Sequence, residues 1–215
     1  MTTIRPPSRS SVPLATLVQI DESDTSDKRG RILKAALTLF VRHGIRRTSI
    51  DDVAREAGIA KGTVYLYFES KDALFDAVAE RICSQRLALA EAALESPASV
   101  AEQVVGILDA HVGMMYRLVA GSPHLAELTE SRALSSAIYD AFDAKMIELL
   151  GTVLSKAGLA GDEPRDMFFA AAVGMTEICG KDEQAYRDRL TAIVETLLAG
   201  LSKRITSQQG VDSRA

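Results

Sequence analysis

Cysteine is nearly absent from this chain. Its 215 residues hold only Cys83 and Cys179, with no C-x-x-C and no Cys/His spacing around either. That leaves neither a disulfide framework nor a zinc pattern, and a reducing cytoplasm is the expected compartment. Long apolar runs are also missing. Even the stretch from Met167 to Gly180 is interrupted by Thr176 and Glu177, short of the roughly 18 apolar residues a membrane span needs. Near the start, residues 12–20 follow Arg5 and Arg9 but are broken by Pro13 and Gln19 and run into Asp21-Glu22. No small-residue cleavage pattern follows, so no secretory leader is expected.

Enzyme signatures are lacking as well. There is no Gly-x-Ser-x-Gly, no phosphate-binding loop and no dinucleotide fingerprint. Helical bundles that carry two metals use Glu-x-x-His pairs, and none occurs. The reversed pair His124-Leu-Ala-Glu127 would hold a metal only weakly by itself. The expectation is therefore no enzyme, no metal and no cofactor. Strand-type alternation of useful length is absent too, which makes the chain all-α.

What is present is a large apolar fraction, 47%, and an uneven charge. The chain as a whole carries −4. Between Lys28 and Lys71, however, ten bases face four acids, a net of +6, and the remainder carries −10. A basic module on an acidic body suits a protein that holds phosphates at one end only. Residues 1–26, rich in Ser, Thr and Pro and closing on an acidic run, read as a flexible arm.

Helical periodicity begins at Lys28. Ile32, Ala35, Ala36, Leu39 and Phe40 make one apolar stripe, which Gly44 stops behind Arg42 and His43. A second helix opens at Ser49, with Asp52 completing a variant capping box, and buries Ile50, Val53, Ala54 and Ala57. Gly58 breaks it, and a short third helix follows from Ile59 to Phe68. Two short helices joined by a tight glycine-bearing turn are the helix-turn-helix arrangement. Within the third helix Val64 and Phe68 face inward, while Lys61, Gly62 and Tyr65 face out.

A long fourth helix is expected from the Ser70 cap to about Leu94, shared between two domains. Later helices are placed at about 100–120, opened by the Ser99-x-x-Glu102 capping box, at 123–131 behind a Ser122 cap with Pro123, and at 135–157, 163–180 and 183–204.

The stretch Thr48-Ser-Ile-Asp-Asp-Val-Ala-Arg-Glu-Ala-Gly-Ile-Ala-Lys-Gly-Thr-Val-Tyr-Leu-Tyr-Phe-Glu-Ser-Lys-Asp-Ala-Leu74 resembles the TetR/AcrR-family signature nearly residue for residue. The Ala-x-x-Ala-Gly turn, the Lys-Gly-Thr-Val-Tyr segment and the Tyr-Phe-x-Ser-Lys-Asp exit all take part. The resemblance implies a transcriptional regulator that binds a palindromic double-stranded operator as a homodimer and carries an effector-binding domain; with the methionines of that domain, the expectation is a repressor released by a small, mostly apolar ligand. It implies a helix-turn-helix domain over residues 27–74, an effector and dimerisation domain over 75–205, a flexible tail over 206–215 and about nine helices. Thr48 and Ser49 would then bond phosphate, Lys61, Gly62, Thr63 and Tyr65 would face the major groove, and Tyr67 and Lys71 would clamp the flanking backbone. Leu66 stands where the family often has an aromatic residue or histidine, so no contact is carried over to it. The alternative is a helical ligand-binding or scaffold protein without DNA binding, against which the intact basic surface stands.

No family motif guides the second domain. His111, Met114, Met115, Phe142, Met146, Phe168, Met175 and Glu177 are the expected ligand-pocket residues, because methionines adapt to varied apolar ligands and a polar group among apolar ones needs a partner. For the dimer interface the expectation is the stripe Leu190, Ile193, Val194, Leu197, Leu198 and Leu201, together with the small residues Ala170 and Gly174.

Overall fold

The computed structural model describes residues 27–119, 122–130, 135–179 and 182–212. The expected N-terminal arm and Gly121 lie outside these residues. All regular structure within them is helical, as expected. Helices α1 (Lys28–His43), α2 (Ile50–Ala57) and α3 (Lys61–Tyr67) form the N-terminal unit. Helix α4 (Lys71–Glu95) leads into a body made of α5 (Val100–Leu108), α6 (Met114–Val119), α7 (Leu125–Glu130), α8 (Ser136–Lys156), α9 (Asp162–Cys179) and α10 (Glu183–Asp212). A π-helical turn, Asp109–Gly113, joins α5 to α6, so these two are parts of one continuous rod.

Local chemistry sets the starts of these helices. Ser49 and Asp52 form a reciprocal capping box at α2, as do Ser99 and Glu102 at α5, and Ser70 accepts from the Ala73 amide at α4. Gly58 ends α2 with φ +64° and ψ +42°, the left-handed conformation that a side chain would disfavour. Two starts and one end differ from the sequence reading. Ser122 does not cap α7. Its hydroxyl accepts from the His124 amide at 3.0 Å and donates to the Val41 carbonyl at 2.7 Å, closing a turn against α1, and the helix begins at Leu125. Helix α3 begins at Lys61, because Ile59 and Ala60 are spent in the turn. Helix α10 continues beyond Arg204 to Asp212, running through Gly210, with no proline in that stretch to stop it.

Two apolar cores result. The first gathers Ile32, Leu33, Ala36, Leu39 and Phe40 of α1, Val53 and Ala54 of α2, Val64, Phe68, and Leu74, Phe75 and Val78 of α4. The second gathers Ala79, Cys83 and Ala90 of α4 with the apolar faces of α5, α8, α9 and α10. Helix α4 serves both, which explains its 25 residues, a rod about 37 Å long. Met114 and Leu118 of α6 join the first core, not the second. The body is thus packed directly onto the N-terminal unit.

Against the second core lies Arg86, 2% exposed. Its Nε donates to the Ala110 carbonyl at 3.1 Å, its Nη2 donates to the His111 carbonyl, and its guanidinium carbon sits 4.2 Å from the centre of the Phe142 ring. A π-turn shifts the helical hydrogen-bond ladder by one residue and leaves carbonyls that need other donors. Arg86 supplies them.

Candidate nucleic-acid interface

The N-terminal unit presents α3 with its inner side fully buried at Val64 and its outer side open to solvent. Lys61, Gly62, Tyr65, Leu66 and Tyr67 are exposed and Thr63 is half-buried. Nothing lies within 4 Å of the position a Cβ would take on Gly62, so the backbone there is open to a close approach. The Lys61 ammonium is held by Asp51 of α2, Nζ to Oδ2 2.9 Å. That hydrogen bond, reinforced by the charge on Asp51, pushes the Lys61 pKa above its ordinary value, so lysine stays protonated on this face.

Beside α3 stands the start of α2. Ser49 is exposed, and its hydroxyl donates to Asp52 Oδ2 at 2.6 Å while accepting from the Asp52 amide at 3.2 Å. These bonds, with the one from the Ser49 amide and the charge on Arg55, hold the Asp52 carboxyl below the usual carboxylate range. Thr48 departs from the phosphate-binding expectation. Its side chain is 3% exposed and its hydroxyl donates to the Gly44 carbonyl at 2.8 Å, so it holds the α1–α2 turn from within. Lys71 reaches the same turn from α4, Nζ donating to the Arg46 carbonyl at 3.3 Å.

Sequence reading passed over three bases here. Arg46 and Arg47 are exposed in the turn that precedes Ser49, and their place beside Thr48 and Ser49 was the available signal. Arg31 of α1 is committed inside the unit, donating to the carbonyls of Ala57 at 2.5 Å and Gly58 at 3.3 Å and so capping the C-terminus of α2. Glu127 of α7 was considered only as half of a weak metal pair. Its Oε1 instead accepts from the Arg46 amide at 2.6 Å, tying the body to the turn. Gly44, at φ +82°, leaves room for it, because a Cβ there would collide with the Glu127 carboxylate. Among the described residues no group of three or more His, Cys, Asp or Glu is placed to hold a metal ion. Nor is any helix among them long and apolar enough to cross a membrane.

Residues 32–78 match the family described as bacterial regulatory proteins, tetR family. That match covers the N-terminal unit, which is similar to the DNA-binding part of the TetR family. Among curated relatives, the uncharacterized HTH-type transcriptional regulator YvdT of Bacillus subtilis is 44% identical over 63 residues, 29% of this chain and 32% of that protein. The repressor KstR2 of Rhodococcus jostii is 43% identical over 58 residues, 26% of this chain and 28% of that protein. The fatty acid metabolism regulator of B. subtilis is 26% identical over 100 residues, 46% and 50% of the two chains. These matches span half or less of the relatives' own lengths. The fold likeness extends further. The TetR-family regulator SCO4454 from Streptomyces coelicolor superposes with a TM-score of 0.64 at 21% identity, covering 82% of this chain and 97% of that one. FadR from B. subtilis, solved with stearoyl-CoA, gives 0.55 at 22% identity, covering 79% and 95%.

In the body of the chain the expected ligand residues separate. His111, Phe142, Met146 and Phe168 come together. The His111 ring stacks on Phe142 with centroids 5.5 Å apart, meets the edge of Phe169 at 5.0 Å, and bonds Asp143 Oδ1 through Nε2 at 3.0 Å. Met146 and Phe168 are fully buried in the same core, and Met175 is half-buried against it. Met114 and Met115 do not join them. The π-turn rotates the helix beyond it, and both pack on the core of the N-terminal unit. The Glu177 side chain lies outside the described residues.

The expected dimer stripe separates too. Leu190, Val194 and Leu201 are at most 7% exposed in the chain's own core, and Ile193, Leu197 and Leu198 pack partly buried against it. An amphipathic helix shows its stripe in sequence but not what covers it. On α9 the expected small residues stand at an open apolar patch, where Val173 is 51% exposed beside exposed Ala170 and half-buried Gly174.

Proposed function

We propose that this protein is a sequence-specific DNA-binding transcriptional regulator, a repressor that a small, mostly apolar ligand releases. The observation that carries the proposal is the exposed outer face of α3 set between the basic α1–α2 turn and the start of α4. A helix-turn-helix lays such a helix in the major groove while the flanking turns hold phosphates. Lys61, Gly62, Thr63 and Tyr65 then face base edges, Ser49, Tyr67 and Lys71 hold the flanking backbone, and Arg46 and Arg47 add charge there. Thr48 positions the turn.

The ligand is proposed for the body around His111, Phe142, Met146, Phe168 and Met175, with a long-chain acyl-CoA as the first compound to try, since FadR was solved with stearoyl-CoA. A homodimer on a palindromic operator is part of the proposal, and the Ala170, Val173 and Gly174 face of α9 is where the two copies would meet.

The test is a salt series on a duplex from the protein's own promoter. A regulator loses affinity steeply as salt rises, because each phosphate it neutralises releases counterions. Lys71→Ala should lower the slope of log K against log salt by about one and weaken binding to all sequences alike. No affinity for any duplex at low salt would leave a ligand-binding protein of this fold as the better reading. Stearoyl-CoA should raise the melting temperature and lower duplex affinity together, since coupling between sites is reciprocal.

A further inference from the structure

Six large hydrophobic side chains stand exposed among the described residues, and three of them, Tyr65, Leu66 and Tyr67, are consecutive on α3. Leu66 is the most exposed of the six, at 84%. It stands two residues after Val64, which is wholly buried, and so about 200° round the helix axis from it. Leu66 therefore points directly away from the core. Gly62 lies one turn earlier on the same outward side, with open space beyond it. The outward face of α3 is a bare backbone step followed by an isobutyl group, while the nearby cation Lys61 is held to one side by Asp51.

Resting on the DNA-binding reading above, the chemistry of a major groove narrows what this group can meet. Leucine has nothing to donate or accept, so it cannot reward a phosphate or the polar edge of guanine, cytosine or adenine. Covering those edges would strip water from them without replacing its hydrogen bonds. The one apolar group a base presents in that groove is the 5-methyl of thymine. The surrounding segment carries a net +6 from Lys28 to Lys71, which draws the duplex to this face. We propose that Leu66 is a specificity-determining residue that packs its side chain on a thymine methyl.

The experiment uses the full-length protein and a duplex it selects from a randomised pool. Each thymine is replaced in turn by deoxyuridine, which removes the methyl and leaves the pairing unchanged, and binding is measured for the wild type and for Leu66→Ala. At one thymine in each half-site, loss of the methyl should weaken the wild type by roughly three- to tenfold and leave Leu66→Ala unaffected. The variant should bind the unmodified duplex about as weakly as the wild type binds the deoxyuridine duplex. Because Leu66 is exposed, its melting temperature should not move. Methyl effects of equal size in both proteins, or a selected site indifferent to every thymine methyl, would overturn the role of Leu66 while leaving DNA binding intact. Failure of the wild type to select any duplex would overturn both.

Discussion

Lys61 and Asp51 set one limit on how this surface can act. Their ion pair at 2.9 Å is open to water, with the side chains 52% and 57% exposed, so it is easily exchanged for a phosphate or a base edge. Until that exchange occurs, Asp51 keeps Lys61 occupied and adds a negative charge to the face proposed to meet DNA. Asp51→Asn should therefore tighten binding to duplexes of any sequence by roughly three- to tenfold at low salt and steepen the salt slope by about one. Unchanged affinity in a fluorescence titration would mean that the pair does not restrain Lys61. Thr48 illustrates the opposite case, a residue whose type suggested a surface role but whose hydroxyl is used up inside the turn. Serine and threonine are legible as caps because a cap involves only the next three residues. Whether a hydroxyl faces inward depends on how the turn is packed, which the sequence does not display.

At the level of the helix, α5 to α6 is the element whose behaviour was least legible. Residues 100–120 read as one uninterrupted helix, and the rod is continuous, but the π-turn at Asp109–Gly113 rotates everything beyond it. That rotation moves Met114 and Met115 from the expected ligand region to the N-terminal core. The turn is bonded from 24 residues away by Arg86, whose guanidinium donates to the Ala110 carbonyl. Arg86→Met should lower unfolding stability by about 2–4 kcal/mol, because methionine fills the space but leaves the carbonyls of Ala110 and His111 unmatched. Urea unfolding measures it. A loss below about 0.5 kcal/mol would show that these carbonyls find other donors.

Across the whole molecule, two sets of side-chain contacts, besides the shared helix α4, tie the body to the N-terminal unit. One is apolar, through Met114 and Leu118 in the first core. The other is polar, through Ser122 on the Val41 carbonyl and Glu127 on the Arg46 amide. Removing the carboxylate in Glu127→Ala should release that amide. Hydrogen exchange at Arg46 should quicken by roughly three- to tenfold, the effect of losing about 1 kcal/mol of hydrogen bonding, with the helix content unchanged. Exchange at the wild-type rate would remove Glu127 from any account of how the body and the turn communicate. The sequence by itself determined the all-helical class, the helix-turn-helix, the caps at Ser49, Ser70 and Ser99, and the outward face of α3. Each of these depends on residues within a turn or two of one another, or on a contiguous family signature. Only the tertiary structure decided that Leu190, Val194 and Leu201 face the chain's own core, that Arg86 bonds a π-turn, and that Glu127 grips the α1–α2 turn. Those outcomes join residues far apart in the chain, and a periodic stripe or a lone charge records what a side chain needs without recording which distant surface supplies it.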